Sequence, residues 1–412
     1  MTRYLYLMIL VILLHRMWDL KPFGLLNSDI RLVISVLYLC FGYMYFKNKQ
    51  FNLFSKQLFP FWIIVTGIIL SMIPAYLYYG QSFVQSIITY RTHLLWMCIP
   101  VLLKLAPSEK TILKLTINTT LIMLFMHILK RLFPVLFVID YERINEMVDE
   151  DAIKEFLISV PGYTLACIPI FILLGKIRSL FKKDYIYIIT VCYLFIFLVQ
   201  NRSTLFPITL LIIYSLFSLK SKYKKLILIA SCIGIPLLIY FTLDIWEELF
   251  LETTTQLGDD EYNRNKAFVY YLSPIANPSL LTYILGNGFL SAHASHALEL
   301  LNEEGIYNSD MGYIGFWNQY GVIPIIAFFW LIIKGLHNRW ESHIMKIWSL
   351  FTLSTILTIG YYGVTTTMFS FSLFYYMLMY YERKYILIKK KHLAANTYFQ
   401  KKEESNHTDV TY

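Results

Sequence analysis

The chain has 412 residues, of which 57% are hydrophobic and only 15% are charged, and its mean hydropathy is +0.54. A soluble domain carries about a quarter charged residues, so this composition excludes an ordinary soluble protein. The formal net charge is +9, but the cations sit in short connections and at the C-terminus. The positive-inside rule places them there, so the charge does not indicate nucleic-acid binding.

Apolar runs recur along the chain at the length of roughly 17 to 25 residues that an α-helix needs to cross a bilayer. They predict an all-α, polytopic helical membrane protein with about twelve transmembrane helices. Nine spans fall in 1–243, a large polar loop covers 244–312, three spans fall in 313–382 and a basic tail covers 383–412. In chain order, the predicted spans lie near 4–14, 30–46, 58–79, 83–105, 112 to between 129 and 138, 157–175, 185–200, 204–219, 225–243, 313–333, 345–360 and 363–381.

With this count of spans, every Lys/Arg-rich connection falls on one side of the membrane and both long acidic loops fall on the other. We therefore expect both termini in the cytoplasm and 244–312 outside it. The five cysteines lie singly in hydrophobic runs, so the sequence indicates neither a disulfide framework nor a CxxC metal site. It contains no nucleotide-binding Gly-rich loop, and we expect no metal, no cofactor and no ATP.

Several cations depart from the positive-inside pattern by lying towards the outside: Arg91, Lys130, Arg131, Arg202 and Arg264. A cation within a span costs several kcal/mol unless it is paired or faces water. Because Arg offers a planar fork of donors that matches phosphate oxygens, these cations predict a site for a lipid pyrophosphate. The alternatives are that Arg91 snorkels to the headgroups or forms a salt bridge, and that span five ends before Lys130 and Arg131.

The polar loop 244–312 holds most of the plausible chemistry, with eleven acidic residues against Arg264 and Lys266. Its segment EYNRNKAFVYYLSPI predicts a short amphipathic helix on the membrane surface, where Arg264 could instead pair with a neighbouring acid. His293 and His296, three residues apart, could share a helix face, but two ligands do not make a metal site, and proton transfer is the other role open to them. Asp310 could accept the proton of a sugar hydroxyl, or it could be a helix N-cap.

Three short motifs in this order resemble those of the bacterial O-antigen and capsule repeat-unit polymerases (Wzy-type), which form a superfamily with the O-antigen ligases. The first is the outer turn NRST with Arg202, and the second is Arg264 ahead of Gly286-Asn287-Gly288. The third is NSDMGYIGFWNQYG, which ends at Gly321. Where ligases and many polymerases have a histidine, this chain has Asp310, as in the Ser-Asp-x-Gly variant found among polymerases.

The resemblance implies an enzyme of the bacterial cytoplasmic membrane, a glycosyltransferase that works at the outer face. It would transfer the growing glycan from undecaprenyl diphosphate to the terminal sugar of an incoming lipid-linked repeat unit. Arg202 and Arg264 would hold the pyrophosphate and Asp310 would be the general base, with a nearby histidine as the alternative. A chain-length regulator and a flippase are the protein partners implied. The remaining candidates for substrate binding are Arg91, Lys130, Arg131, His293 and His296.

Two other functions remain open from the sequence. An O-antigen ligase would transfer finished polymer to a different acceptor, and Asp310 counts against it. A flippase or transporter of lipid-linked oligosaccharides would also have many spans and a cationic cavity, but the long outer loop and the lack of a repeat between halves count against that function. A membrane scaffold would leave the outward cations unexplained.

Overall fold

The structure is a computed structural model that describes residues 2–15, 28–48, 51–133, 136, 163–177, 182–199, 202–217, 263–274, 276–291, 311–337, 343–354 and 365–408. Its regular elements are all helical, and the described residues contain no β-strand. The predicted all-α fold class is therefore confirmed for the described part of the chain.

Two helices of the N-terminal part, α1 and α7, begin at polar caps. The Thr2 hydroxyl accepts a hydrogen bond from the Leu5 amide, and the Ser108 hydroxyl accepts one from the Thr111 amide. Each cap satisfies an amide that has no partner inside its helix. The elements are α1 (Arg3–Leu14), α2 (Ser28–Tyr45), a 3-10 turn (Lys56–Leu58), α3 (Phe59–Leu70), α4 (Met72–Tyr79), α5 (Phe83–Thr89), a 3-10 helix (Tyr90–Met97), α6 (Cys98–Leu105) and α7 (Glu109–Leu132).

The remaining described elements include the most buried and the longest helices of the chain. Every side chain described from Leu165 to Leu174 is buried, as expected for a helix that is hydrophobic on all faces. The elements are α8 (Tyr163–Ile177), α9 (Lys183–Leu198), α10 (Arg202–Phe217), α11 (Asn263–Leu272), α12 (Leu280–Leu285), α13 (Gly312–Tyr320), α14 (Val322–Leu336), α15 (His343–Ser354) and α16 (Thr365–Thr408). Helix α8 packs against α7, α9 and α15, while α3 packs against α14 and α6 against α16.

Three helical segments among the described residues are long and apolar enough to cross a membrane: Lys56–Tyr79, Phe83–Leu105 and Glu109–Leu132. They coincide with the third, fourth and fifth predicted spans. The other predicted spans correspond to shorter apolar helices or lie partly or wholly outside the described residues, as 225–243 does. The total of twelve spans stays a prediction.

The tenth predicted span is not the single helix that its hydropathy indicates. Residues 313–333 are divided between α13 and α14 by Gly321, which has φ +75°. A side chain at Gly321 would collide with the backbone at Ile284, so another segment of the chain passes directly against the break.

One end of the helical bundle is tied together by three consecutive residues of α16. The Tyr381 hydroxyl donates to Glu109 Oε2 at 2.8 Å, Lys334 Nζ pairs with Glu382 Oε2 at 2.9 Å, and Arg383 Nε donates to Gln57 Oε1 at 2.6 Å. Consecutive helix residues point about 100° apart, so α16 contacts three different elements here. We call this the basic end.

Glu109 is a stability determinant of the basic end, because it also forms an ion pair with Lys176 while its side chain is only 14% exposed. We expect Glu109→Gln to lower the free energy of unfolding by about 2 kcal/mol, since Lys176 loses a charged partner in a partly buried site. The measurement is denaturant unfolding of the purified protein in detergent. Lys110→Gln, at an exposed neighbouring cation, is the control. Equal stability of the two variants would contradict the prediction.

Candidate functional site

Residues 276–291, which we call the strap, lie against the other end of the bundle. The amides of Asn287 and Gly288 donate to the carbonyls of Asn318 and Gln319 at 2.7 and 2.8 Å. These carbonyls belong to the last turn of α13, which lacks amide partners further along the helix. The strap therefore supplies the hydrogen bonds that the interruption of the helix leaves open.

The Gly-Asn-Gly motif fits this position because both of its glycines have positive φ, +81° at Gly286 and +82° at Gly288. A Cβ atom on Gly288 would lie 2.6 Å from the Cβ of Ala75 and 2.9 Å from the carbonyl oxygen of Ser71. Only glycine allows the strap to approach α4 this closely.

Two buried side chains of the bundle bind the backbone of the strap. The Phe289 amide donates to the Tyr90 hydroxyl at 2.8 Å, and that hydroxyl also contacts Ser71 Oγ at 2.8 Å. Gln81 donates from Nε2 to the Phe289 carbonyl at 3.0 Å and accepts at Oε1 from the Ser291 amide at 2.8 Å. Gln81 thus forms one donor and one acceptor hydrogen bond with the backbone of the strap, as a residue of a neighbouring β-strand would.

The 3-10 helix decides which side chains of the fourth span face the strap. With 3.0 residues per turn, Tyr90, His93 and Trp96 lie on one face, and all three are buried. The His93 and Tyr320 rings are 5.0 Å apart. Arg91 lies on a different face, where it is exposed and donates from Nη1 to the Ile88 carbonyl at 3.0 Å.

The end of the bundle that the strap contacts, which we call the strap end, contains buried polar atoms with unused hydrogen-bonding capacity. His93 Nε2, Asn287 Oδ1, Ser291 Oγ and Asn318 Nδ2 have no hydrogen-bond partner among the described residues. Each such atom costs about 1–3 kcal/mol, which a core chosen for stability alone would avoid. Sequence reasoning missed these residues, although His93 and Gln81 are polar residues within or beside a predicted span.

Helix α11 lies in the segment predicted to form a short amphipathic helix, and its position on the membrane surface stays a prediction. Ala267 and Tyr271 lie one turn apart and are buried, whereas Lys266 is exposed. Arg264 lies in the first turn of this helix, and its side chain is outside what the structure describes.

The buried face of α11 packs against the beginning of α13. Ala267 and Tyr271 form a cluster with Ala276 and Met311, and Met311 directly follows Asp310 in the sequence. Asp310 itself lies outside the described residues, as do His293 and His296.

The other predicted site residues lie on two separate helices. Arg202 is the first residue of α10, which packs against α8 and α15, and the position of its side chain is not among those described. Lys130 is half-buried and Arg131 is exposed in the last turn of α7. Helix α7 continues to Leu132, so both cations are helical, and the alternative that the membrane span ends before them stays open. The convergence of Arg202, Arg264 and Asp310 at one cavity stays a prediction.

No group of three or more His, Cys, Asp or Glu side chains that could hold a metal ion occurs in the described part of the chain. The sequence matches no family model, and the chain matches neither a curated protein nor a solved structure. The site must therefore be interpreted from its own residues.

The two glycines Gly288 and Gly80 offer a direct test of the contact between strap and bundle. Gly288→Ala should lower the free energy of unfolding by about 3 kcal/mol, because it adds a steric clash to an unfavourable positive φ. Gly80 also has a positive φ, +64°, but a Cβ there would meet nothing within 4 Å, so Gly80→Ala should cost only about 1 kcal/mol.

The measurement is unfolding of both variants in detergent, together with limited proteolysis of the polar loop. We expect faster cleavage of the loop only in Gly288→Ala. Equal losses of stability in the two variants would show that the close packing of the strap contributes nothing.

Proposed function

We propose that this protein is a membrane glycosyltransferase that polymerises lipid-linked oligosaccharide repeat units at the outer face of a bacterial cytoplasmic membrane. The donor would be a growing glycan on undecaprenyl diphosphate, and the acceptor would be the terminal sugar of the next lipid-linked unit. The proposal joins the motif resemblance to the arrangement of the strap end.

The observation that carries the proposal is the packing of α11 against the beginning of α13. Arg264 precedes Ala267 by three residues, which is about 4.5 Å along a helix. Ala267 and Met311 belong to the same buried cluster, and Asp310 is the neighbour of Met311 in sequence. Two of the three motifs that carry the resemblance therefore belong to elements in direct contact, as a shared site requires.

The strap gives this arrangement a fixed position on the bundle. It begins with Ala276, a member of the same cluster, and continues to the Tyr90 and Gln81 hydrogen bonds. Because a 1 Å misplacement can cost a large factor in rate, a loop that carries catalytic groups needs such support. The strap supports the proposal because it fixes the position of the polar loop on the bundle.

We further propose the twelve-span topology, with both termini in the cytoplasm and the strap end outside. The connections predicted to be cytoplasmic meet at the basic end, where Asn48 Nδ2 donates to the Lys104 carbonyl at 3.1 Å and the Tyr376 hydroxyl to the Pro107 carbonyl at 2.5 Å. The turn at Gly80 and the strap, both predicted to be outside, meet at the other end.

In the proposed reaction, the oxygen of the acceptor hydroxyl attacks the anomeric carbon of the donor glycan. The bond from that carbon to the diphosphate oxygen breaks, and the diphosphate leaves with the electron pair. Arg202 and Arg264 neutralise the charge that develops on the leaving group. Asp310 takes the proton of the attacking hydroxyl, with His293 or His296 as the alternative base. The loss of a lipid diphosphate drives the transfer without ATP or a nucleotide sugar.

The topology can be checked with single cysteines at Ser82 and Lys110. Ser82 is exposed beside the Gly80 turn, and Lys110 is exposed at the basic end. A membrane-impermeant maleimide should label Ser82→Cys in intact cells or spheroplasts, and Lys110→Cys only after permeabilisation. The chain with its native cysteines is the background control. The reverse pattern of labelling would invert the proposed orientation.

The proposed reaction depends on Arg264, and Lys266 on the same helix provides a matched control. In a strain that lacks the protein, complementation with Arg264→Ala should reduce polymer by about 100-fold or more, because one charged transition-state contact is lost. Lys266→Ala, at an exposed cation two residues away, should restore the native ladder. The measurement is a gel ladder of the surface polysaccharide, with protein levels compared by immunoblot.

The same gel separates the other functions. A native ladder from Arg264→Ala at native protein levels would remove Arg264 from the site. In the strain that lacks the protein, a single capped repeat unit would agree with a polymerase. Repeat units that accumulate only on the cytoplasmic side would replace the proposal with a flippase, and long polymer that fails to reach its final acceptor would replace it with a ligase.

A further inference from the structure

A cavity of about 700 Å³ opens at the basic end, between the 3-10 turn Lys56–Leu58 and helices α3, α14 and α16. Its volume is within the range of about 300–1,000 Å³ that is typical of small-molecule sites. The lining combines aromatic rings with charged groups, and it is formed by residues far apart in sequence. The lining includes Lys56, Gln57, Phe59, Trp330, Lys334 and Glu382.

The cavity lies at the level where apolar helices end. Lys56 begins the apolar segment Lys56–Tyr79, and Lys334 lies in the last turn of α14, another apolar helix. Trp62 and Trp330, which also line the cavity, lie within one or two turns of these ends. Tryptophan is enriched at membrane–water interfaces, so this is the expected depth of lipid headgroups.

The entrance of the cavity is apolar. Phe54 is 81% exposed, Phe59 57% and Ile386 44%, although all three are large hydrophobic residues. The Phe54 ring stacks on Trp62 with centroids 5.7 Å apart, and Trp62 is held by a hydrogen bond from Nε1 to the Leu53 carbonyl at 2.9 Å. These fixed rings form a surface suited to acyl chains.

The polar part of the cavity has an excess of positive charge. Lys334 pairs with Glu382, but Lys56 is exposed and has no ion-pair partner among the described residues. Arg383 reaches the cavity wall through its hydrogen bonds to Gln57 Oε1. Within the lining itself, the two cations Lys56 and Lys334 face one carboxylate, which favours an anionic group over a neutral one.

We propose that this cavity binds an anionic phospholipid, with its phosphate at Lys56 and Lys334 and its acyl chains along Phe59 and Ile386. The interfacial depth and the apolar entrance favour a lipid over a soluble anion, and the excess charge favours an acidic headgroup over a zwitterionic one. The site is at the end of the bundle opposite the strap, so the proposal is independent of the reaction proposed there.

The test uses the purified full-length chain in detergent with added phosphatidylglycerol, phosphatidylcholine or inorganic phosphate. The readouts are the midpoint of thermal unfolding and the lipid retained in native mass spectrometry. We expect phosphatidylglycerol to raise the unfolding midpoint and to be retained, and the other two additions to have little effect. A ligand that binds only the folded state stabilises that state.

Matched variants test whether the binding of phosphatidylglycerol depends on the cavity. Lys56→Gln should weaken phosphatidylglycerol binding by about 5-fold, the scale of one Lys beside an anionic lipid. Lys110→Gln removes an exposed cation at the same end, outside the cavity, and should change nothing. Glu382→Gln removes the competing carboxylate and should strengthen binding, so the charge of the site is tested in both directions.

Equal responses to phosphatidylglycerol and phosphatidylcholine would overturn the proposal, and so would equal binding by Lys56→Gln and Lys110→Gln. Stabilisation by inorganic phosphate as large as that by phosphatidylglycerol would replace the lipid with a soluble anion. Lys56 is exposed and unpaired among the described residues, so its substitution should leave the unfolding midpoint without lipid unchanged.

Discussion

Helix α13 ends within the bundle, and the carbonyl groups of its last turn, which have no amide partner further along the helix, are the constraint on which the strap end depends. Water that could satisfy such groups is scarce in a membrane, so an interrupted helix is tolerated only where protein supplies the hydrogen bonds. The amides of Asn287 and Gly288 do so at Asn318 and Gln319. Gly321 allows the close approach from one side and Gly286 from the other. The interruption and the strap therefore require each other.

This mutual requirement extends to the polar loop. Ala276, the first residue of the strap, packs with Ala267 and Met311, so the hydrogen bonds that fix the strap also fix α11 beside α13. Tyr90 and Gln81 hold the far end of the strap against the bundle. The described part of the polar loop thus has a defined attachment to α13 and to the bundle, and catalytic groups carried on it could be placed reproducibly.

Hydropathy was sufficient to predict the segments Lys56–Tyr79, Phe83–Leu105 and Glu109–Leu132, because long apolar runs have few other structures open to them. It did not predict the interruption at Gly321, since the segment that packs against the break is distant in sequence. Hydropathy likewise did not predict the 3-10 helix. A regular α-helix would not align Tyr90, His93 and Trp96, and this alignment turns Arg91 away from them. The motif residues Arg202, Arg264 and Asp310 were identified from their charge and place in the sequence and from the resemblance, and their side chains lie outside the described residues.

Helix α16 runs without a break from Thr365 to Thr408, and neither glycine nor proline occurs in it. At 1.5 Å per residue its 44 residues extend about 66 Å, roughly twice the thickness of the hydrocarbon layer. The helix has no hinge residue between the part that contacts Glu109, Lys334 and Gln57 and the basic part beyond it. A force or a partner acting on the tail would therefore be transmitted along one continuous helix to the contacts made by Tyr381, Glu382 and Arg383.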